Sequence, residues 1–213
     1  MINVQKFTVN PFQENSYVLS DHTGKCLIAD PGFFSGTEKQ KLLEFIRSEN
    51  LEPVGLIATH CHFDHIMGVD FLRQQFGIPF ECHQDDAFWI PMAGSQAASF
   101  GINMPEVADA DRLWDSGCEI RFGDSALQVI HLPGHSPGHV VFYSEKDRFL
   151  LAGDVLFLKS IGRFDLPGGD YSRLITGIKE KLMILPPETK VWSGHGPETS
   201  VGFEKKHNPY LLY

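Results

Sequence analysis

Six consecutive residues, His60-Cys61-His62-Phe63-Asp64-His65, bring three imidazoles and a carboxylate together directly after the apolar run Val54-Gly55-Leu56-Ile57-Ala58. A fold that buried these groups without partners would lose about 1–3 kcal/mol for each unsatisfied one. Imidazole and carboxylate are ligands for zinc, and imidazole also suits iron and other first-row metals, so the run reads as a metal-binding loop. The apolar run has the length of a buried strand, and Ile66, Val69, Leu72 and Phe76 recur at helical spacing, which puts the loop between a strand and a helix. In its extended part His60 and His62 point the same way and can share one metal. The turn into the helix redirects Asp64 and His65, which makes a second, neighbouring metal plausible. The spacing differs from a helical H-E-x-x-H site, where two histidines share one helix face, so a zincin protease is set aside.

One loop cannot close two metal sites, and the chain offers three distant donors. His135 lies in Pro133-Gly134-His135-Ser136-Pro137-Gly138-His139, a turn-rich stretch between two apolar runs. Asp154 ends the short buried strand Phe149-Leu150-Leu151-Ala152-Gly153, where α/β sheets present functional groups. His195 stands between glycines after Val191-Trp192-Ser193. On this reading His135 completes the first site, His195 completes the second, and Asp154 bridges them. His22, His83, His131, His139 and His207 stand singly and read as structural or solvated.

Composition narrows the class. At 213 residues and 42% hydrophobic content, residues 1–213 can form one domain with a sizeable core and no linker. Met1 to Phe7 alternates like an edge strand rather than a signal peptide, and no apolar run approaches the roughly 20 residues that span a bilayer. Cys26, Cys61, Cys82 and Cys118 are scattered without a C-x-x-C pair, which fits reduced thiols in a cytoplasm. Cys61 is expected to point away from His60 and His62. A net charge of -9 with no basic stripe argues against nucleic-acid partners; Lys39, Lys41, Arg47, Lys205 and Lys206 read as solvated faces.

The patterning predicts strands near 3–9, 15–20, 25–29, 54–58, 79–82, 119–122, 126–131, 139–143, 149–152 and 190–193. It predicts helices near 37–49, 65–76, 84–89 and 171–184, the last capped by Asp170 and stopped by Pro186-Pro187. Residues 88–114 are rich in apolar side chains but weakly periodic, and are compatible with a lid over a pocket or with packing against outer helices. Arg163 and Asp165 are expected to pair structurally.

T-H-x-H-x-D-H, followed in order by His135, Asp154 and His195, resembles the metallo-β-lactamase superfamily over nearly the whole chain. The P-G-H-S-P-G-H run at 133–139, Gly153-Asp154, G-R-x-D-L-P-G-G-D at 162–170 and G-H-G-P-E-T at 194–199 are most similar to the short glyoxalase II-like hydrolases. The resemblance implies an α/β fold, a four-layer αββα sandwich with a dinuclear site at one edge of the paired sheets. It implies first-site ligands His60, His62 and His135, second-site ligands Asp64, His65 and His195, a bridging Asp154, and Asp30 supporting the loop. Two divalent metal ions follow, zinc by default, with iron or manganese as alternatives. The secreted lactamases of the common dinuclear type lack a histidine at position 65 and carry cysteine where Asp154 stands, which argues against lactam hydrolysis. Long glyoxalase II enzymes bind glutathione carboxylates through a basic C-terminal domain, for which the chain leaves no room after His195. Phe164 stands where the relatives often have a small threonine.

The expected activity is thioester or ester hydrolysis of a small molecule, in which metal coordination brings the pKa of bound water to about 7 and Asp64 orients the nucleophile. The alternative within the superfamily is a persulfide dioxygenase with a single iron on His60, His135 and Asp154.

Overall fold

Period-two alternation sorts the strand residues into layers. In the computed structural model, which describes residues 1–115 and 117–212, the first sheet runs in the order β1 (Asn3–Val9), β2 (Glu14–Ser20), β3 (Lys25–Ala29), β4 (Glu52–Ile57), β5 (Phe80–His83) and β6 (Arg112–Trp114). Its first three strands are antiparallel and its last four parallel. Val18, Ile28 and Leu56 face outward, where helices α1 (Gly36–Ser48) and α3 (Val69–Phe76) cover them with Leu42, Ile46 and Leu72. Their sequence neighbours Tyr17, Leu19, Leu27 and Ile57 face inward, as a residue shift of one requires.

The second sheet contains β7 (Glu119–Phe122), β8 (Ser125–His131), β9 (Val140–Ser144), β10 (Phe149–Gly153), β13 (Lys190–Ser193) and β14 (Thr199–Ser200); a small hairpin, β11 (Leu156–Phe157) and β12 (Ser160–Ile161), lies between β10 and β13 in the chain. Leu127, Phe142 and Leu151 from this sheet meet the inward face of the first. On its outer face Val141, Leu150 and Val191 pack under Leu174 of α5 (Tyr171–Gly177) and Val201 of α6 (Val201–His207). Helix, sheet, sheet, helix is the expected four-layer order. Among the described residues no helix is long and apolar enough to cross a membrane.

All ten expected strands form, and the differences lie in helices and short elements. The helix expected over 65–76 is broken into a single turn, α2 (Phe63–Ile66), and α3. Gly68 causes the break: a Cβ there would sit 2.8 Å from the Pro31 carbonyl, to which the Gly68 amide is bonded. Residues 84–92 form a 3-10 helix instead of the α-helix expected at 84–89. The helix expected over 171–184 leaves α geometry at Gly177 and continues as a π turn, Ile178–Leu182. The chain also forms β6, β11, β12, β14, α6 and α4 (Ala93–Ser99), which the patterning did not show.

Candidate metal centre

The loop from Thr59 to His65 is held at both of its ends. Asp30, just after β3 and in a left-handed conformation, accepts the Thr59 amide at 2.6 Å and the Thr59 hydroxyl at 2.8 Å. Asp86, buried in the 3-10 helix, accepts the amides of Cys61 and Gly138, both at 2.7 Å, and the Ser136 hydroxyl. One carboxylate thereby ties the histidine loop to the loop that carries His135. Asn10 closes the far end by donating to the Asp64 carbonyl at 2.9 Å. Cys61 is buried in the outer core cluster, away from the histidines on either side.

Each distant donor is positioned through backbone. His135 Nδ1 bonds the Arg163 carbonyl at 2.7 Å, and His195 Nδ1 bonds the Phe12 carbonyl at 3.1 Å. The Asp154 amide donates to His139 Nε2 at 3.0 Å, and the His139 ring stacks on His60 at 4.8 Å. Asp154 follows Gly153, whose φ of 49° and near contact with Thr59 exclude a side chain there: a Cβ would lie 2.3 Å from the Thr59 hydroxyl.

The seven expected donors come together in three overlapping groups: His60, His62 and His135; His60, His65 and Asp154; and Asp64, His65 and His195. Asp154 Oδ2 lies 3.8 Å from His135 Nε2 and 3.5 Å from His195 Nε2, while its Oδ1 is 3.6 Å from His65 Nε2. Asp64 Oδ2 is 3.3 Å from His195 Nε2.

Hydrogen bonding fixes which ring nitrogens are bare. The Arg163 carbonyl can only accept, so His135 Nδ1 carries its proton and the neutral ring leaves Nε2 free. Thr59 spends its hydroxyl hydrogen on Asp30 and therefore accepts from His60 Nδ1 at 3.1 Å, which leaves His60 Nε2 bare as well. These two lone pairs face each other at 3.2 Å, an arrangement that is repulsive until a cation lies between them. Among the described residues, buried His65 Nε2 and Asp154 Oδ1 also have no hydrogen-bond partner. The donor chemistry and these orphaned atoms fit divalent metal.

Electrostatics divides the cluster. Burial, reinforced by neighbouring imidazoles, holds His60 and His62 well below the ordinary histidine range, and burial also lowers His135. These three are neutral, as ligands must be. Burial would lower His65 and His195 too, but the Asp64 and Asp154 carboxylates outweigh it and raise both. Burial would raise Asp64, yet His65 and His195 hold it at about 2. The Asp64–Asp154 side therefore draws positive charge.

Beside the cluster opens a cavity of about 620 Å³ whose lining includes His62, Asp64, His135, Asp154 and His195. Residues 88–114 contribute both to the core and to the cavity wall. Trp89, Ile90, Met104 and Val107 pack in the core, while Met92 and Phe100 are exposed at the cavity with Trp89 behind them. Arg163 and Asp165 form the expected pair, at 2.8 and 2.9 Å. His22 is exposed, as expected of a solvated histidine. Sequence reasoning missed Asp86, Asn10, the supporting contact of His139 and the carbonyl of Phe12. A lone aspartate or asparagine in a short segment gives no pattern, and a carbonyl gives none at all.

A profile of the metallo-beta-lactamase superfamily matches residues 9–195. Hydroxyacylglutathione hydrolase GloC of Haemophilus influenzae is 34% identical over 212 residues, covering 99% of this chain and 98% of that protein. The crystal structure of BLEG-1 B3 metallo-beta-lactamase superposes with a TM-score of 0.91 at 38% identity, covering 99% of this chain and 100% of the other. That of TTHA1623 in a di-iron-bound form gives 0.87 at 38% identity, covering 97% and 100%. The αββα fold, the assembled histidine and aspartate donors and these similarities agree: the chain belongs to the metallo-beta-lactamase superfamily, as a metallo-hydrolase.

Proposed function

We propose that this chain is a thioester hydrolase of the glyoxalase II type. His60, His62 and His135 would hold one divalent metal, Asp64, His65 and His195 a second, with Asp154 shared between them. The observation that carries this reading is the fixed tautomers of His60 and His135, whose bare nitrogens converge beside a second donor set reached by the same Asp154. When bound, the metals supply Lewis acidity toward the carbonyl oxygen and bring the pKa of water to about 7. Asp64, whose Oδ2 faces the donor centre 3.3 Å from His195 Nε2, would accept a hydrogen bond from the attacking water and orient it. His195 and His135 are kept from rotating by carbonyls, so their Nε2 atoms stay aimed at the centre. A thiol leaves with a pKa of about 8.5, so no side chain has to protonate it.

One feature supports a dinuclear centre over the single-iron persulfide dioxygenase: that chemistry uses His60, His135 and Asp154 and leaves the Asp64, His65 and His195 group without a task. Four free cysteines support a reducing, cytoplasmic setting with a small-molecule substrate. The test is metal content of the protein as isolated, together with activity. About two metals per chain and thioester cleavage bear the proposal out, zinc being expected and iron the first alternative given the di-iron relative. One iron, with oxygen uptake on glutathione persulfide, replaces it with the dioxygenase. Hydrolysis of a chromogenic cephalosporin faster than of any thioester would place the chain with the B3 lactamase relative.

A further inference from the structure

The cavity beside the donors is lined unevenly. One wall is apolar, made by Phe12, Phe63, Trp89, Met92 and Phe100. The Phe12 ring meets Phe63 edge-on at 5.0 Å and Phe100 at 5.3 Å, and Phe63 stacks on Phe100 at 5.5 Å. Three rings in mutual contact make a wall of fixed shape. Phe100 nevertheless keeps 57% of its surface open and Met92 keeps 44%, which is apolar area that a ligand would cover with gain. Phe63 sits between His62 and Asp64, and Phe12 supplies the carbonyl that holds His195, so this wall is built on the donor scaffold itself.

Charge is scarce by contrast. Apart from the donors, the charged group in the lining is Arg163, whose Nε and Nη2 are already engaged by Asp165; no lysine is present among the described lining residues. Ser95, Gln96 and Ser99 are neutral. A substrate carboxylate lying away from the donors, along the rest of this lining, would meet only a guanidinium that has its partner, and a desolvated charge without a counterion is unfavourable.

We infer that this cavity selects thioesters with an apolar acyl arm, aliphatic or aryl, lying along the Phe12–Phe63–Phe100 wall, and not thioesters recognised through a charged carrier. The inference rests on the thioester reading above and narrows it. The experiment measures kcat/KM of the metal-loaded protein on N-acetylcysteamine thioesters from acetyl to octanoyl, with S-lactoylglutathione beside them. The expected result is a rise of about fourfold per methylene until the wall is covered, with S-lactoylglutathione below the hexanoyl thioester. Phe100→Ser, at an exposed position, lowers the octanoyl-to-acetyl ratio by about tenfold. A flat series in the unsubstituted protein, or a preference for S-lactoylglutathione, overturns the inference. If no thioester is cleaved, the thioester reading itself fails, and calorimetry with S-methyl and S-octyl thioethers of N-acetylcysteamine tests the wall alone. Tighter octyl binding that Phe100→Ser weakens upholds selection of an apolar arm, and equal binding of the two thioethers overturns it.

Discussion

The two halves of the sandwich supply the histidine and aspartate donors in opposite ways. The first sheet delivers His60, His62, Asp64 and His65 on one loop, clamped by Asp30 and Asp86. The second delivers His135, Asp154 and His195 from three loops, each donor residue having its own hydrogen bond to or from a backbone group. Concentrated donors share their anchors and fall together, whereas dispersed donors fall one at a time. Asp86 is the exception that crosses over, since it binds Gly138 and Ser136 of the second half as well as Cys61 of the first.

Asp86→Ala should therefore have the largest effect. It strands two buried amides and a hydroxyl, at about 1–3 kcal/mol for each unsatisfied group, so urea denaturation is expected to show a loss of about 3 kcal/mol or more, and elemental analysis no retained metal. Retention of both metals would break the comparison at its joint. Asp30→Ala is next: it removes the clamp on Thr59 and the carboxylate 3.4 Å from His65 Nδ1, with an expected loss of about 2 kcal/mol and of metal from both donor sets, because all four loop donors move. His195→Ala should separate the halves most clearly. One metal per chain is expected to remain on His60, His62 and His135, with little change in the denaturation midpoint; loss of both metals would mean that the dispersed donors are as interdependent as the clustered ones.

The smallest expected effect is a pH dependence at the seam between the sheets. His83 of the first sheet stacks on His131 of the second at 4.2 Å. Burial, and then His131, depresses the His83 pKa below its ordinary 6.5. The unfolded chain thus takes up a proton at a higher pH than the folded one, so this stabilisation is complete above about pH 6.5 and is lost as the pH falls below it. His83→Asn keeps an acceptor for the Asp85 amide and removes the titration. Its stability is expected to vary less between pH 7.5 and 5.5 than that of the unsubstituted protein, and an unchanged slope would assign the dependence elsewhere.

What the sequence made legible follows the same division. The clustered loop was readable because four donors within six residues have few other physical explanations, and the dispersed donors because glycines and prolines mark the turns at strand ends. Asp86 was not readable: its role depends on two loops meeting in space, and nothing near Gln84-Asp85-Asp86 records that. Helix α4 was hidden by Pro91 and Gly94 at its start. Helix α6 carried a signal that periodicity overlooked, since Ser200 caps the Phe203 amide in a standard N-cap arrangement. The break at Gly68 was unreadable because it answers to the Pro31 carbonyl, not to neighbours in the helix.

The carbonyl of Phe12 has a consequence for how such a protein can change. A carbonyl is common to every residue, so substitution at position 12 rewrites one panel of the cavity while the handhold of His195 is inherited unaltered. The same is true of Arg163, whose carbonyl steadies His135 while its side chain faces the cavity. At both positions the chain can explore new substrates by single substitutions without loosening the groups that do the chemistry.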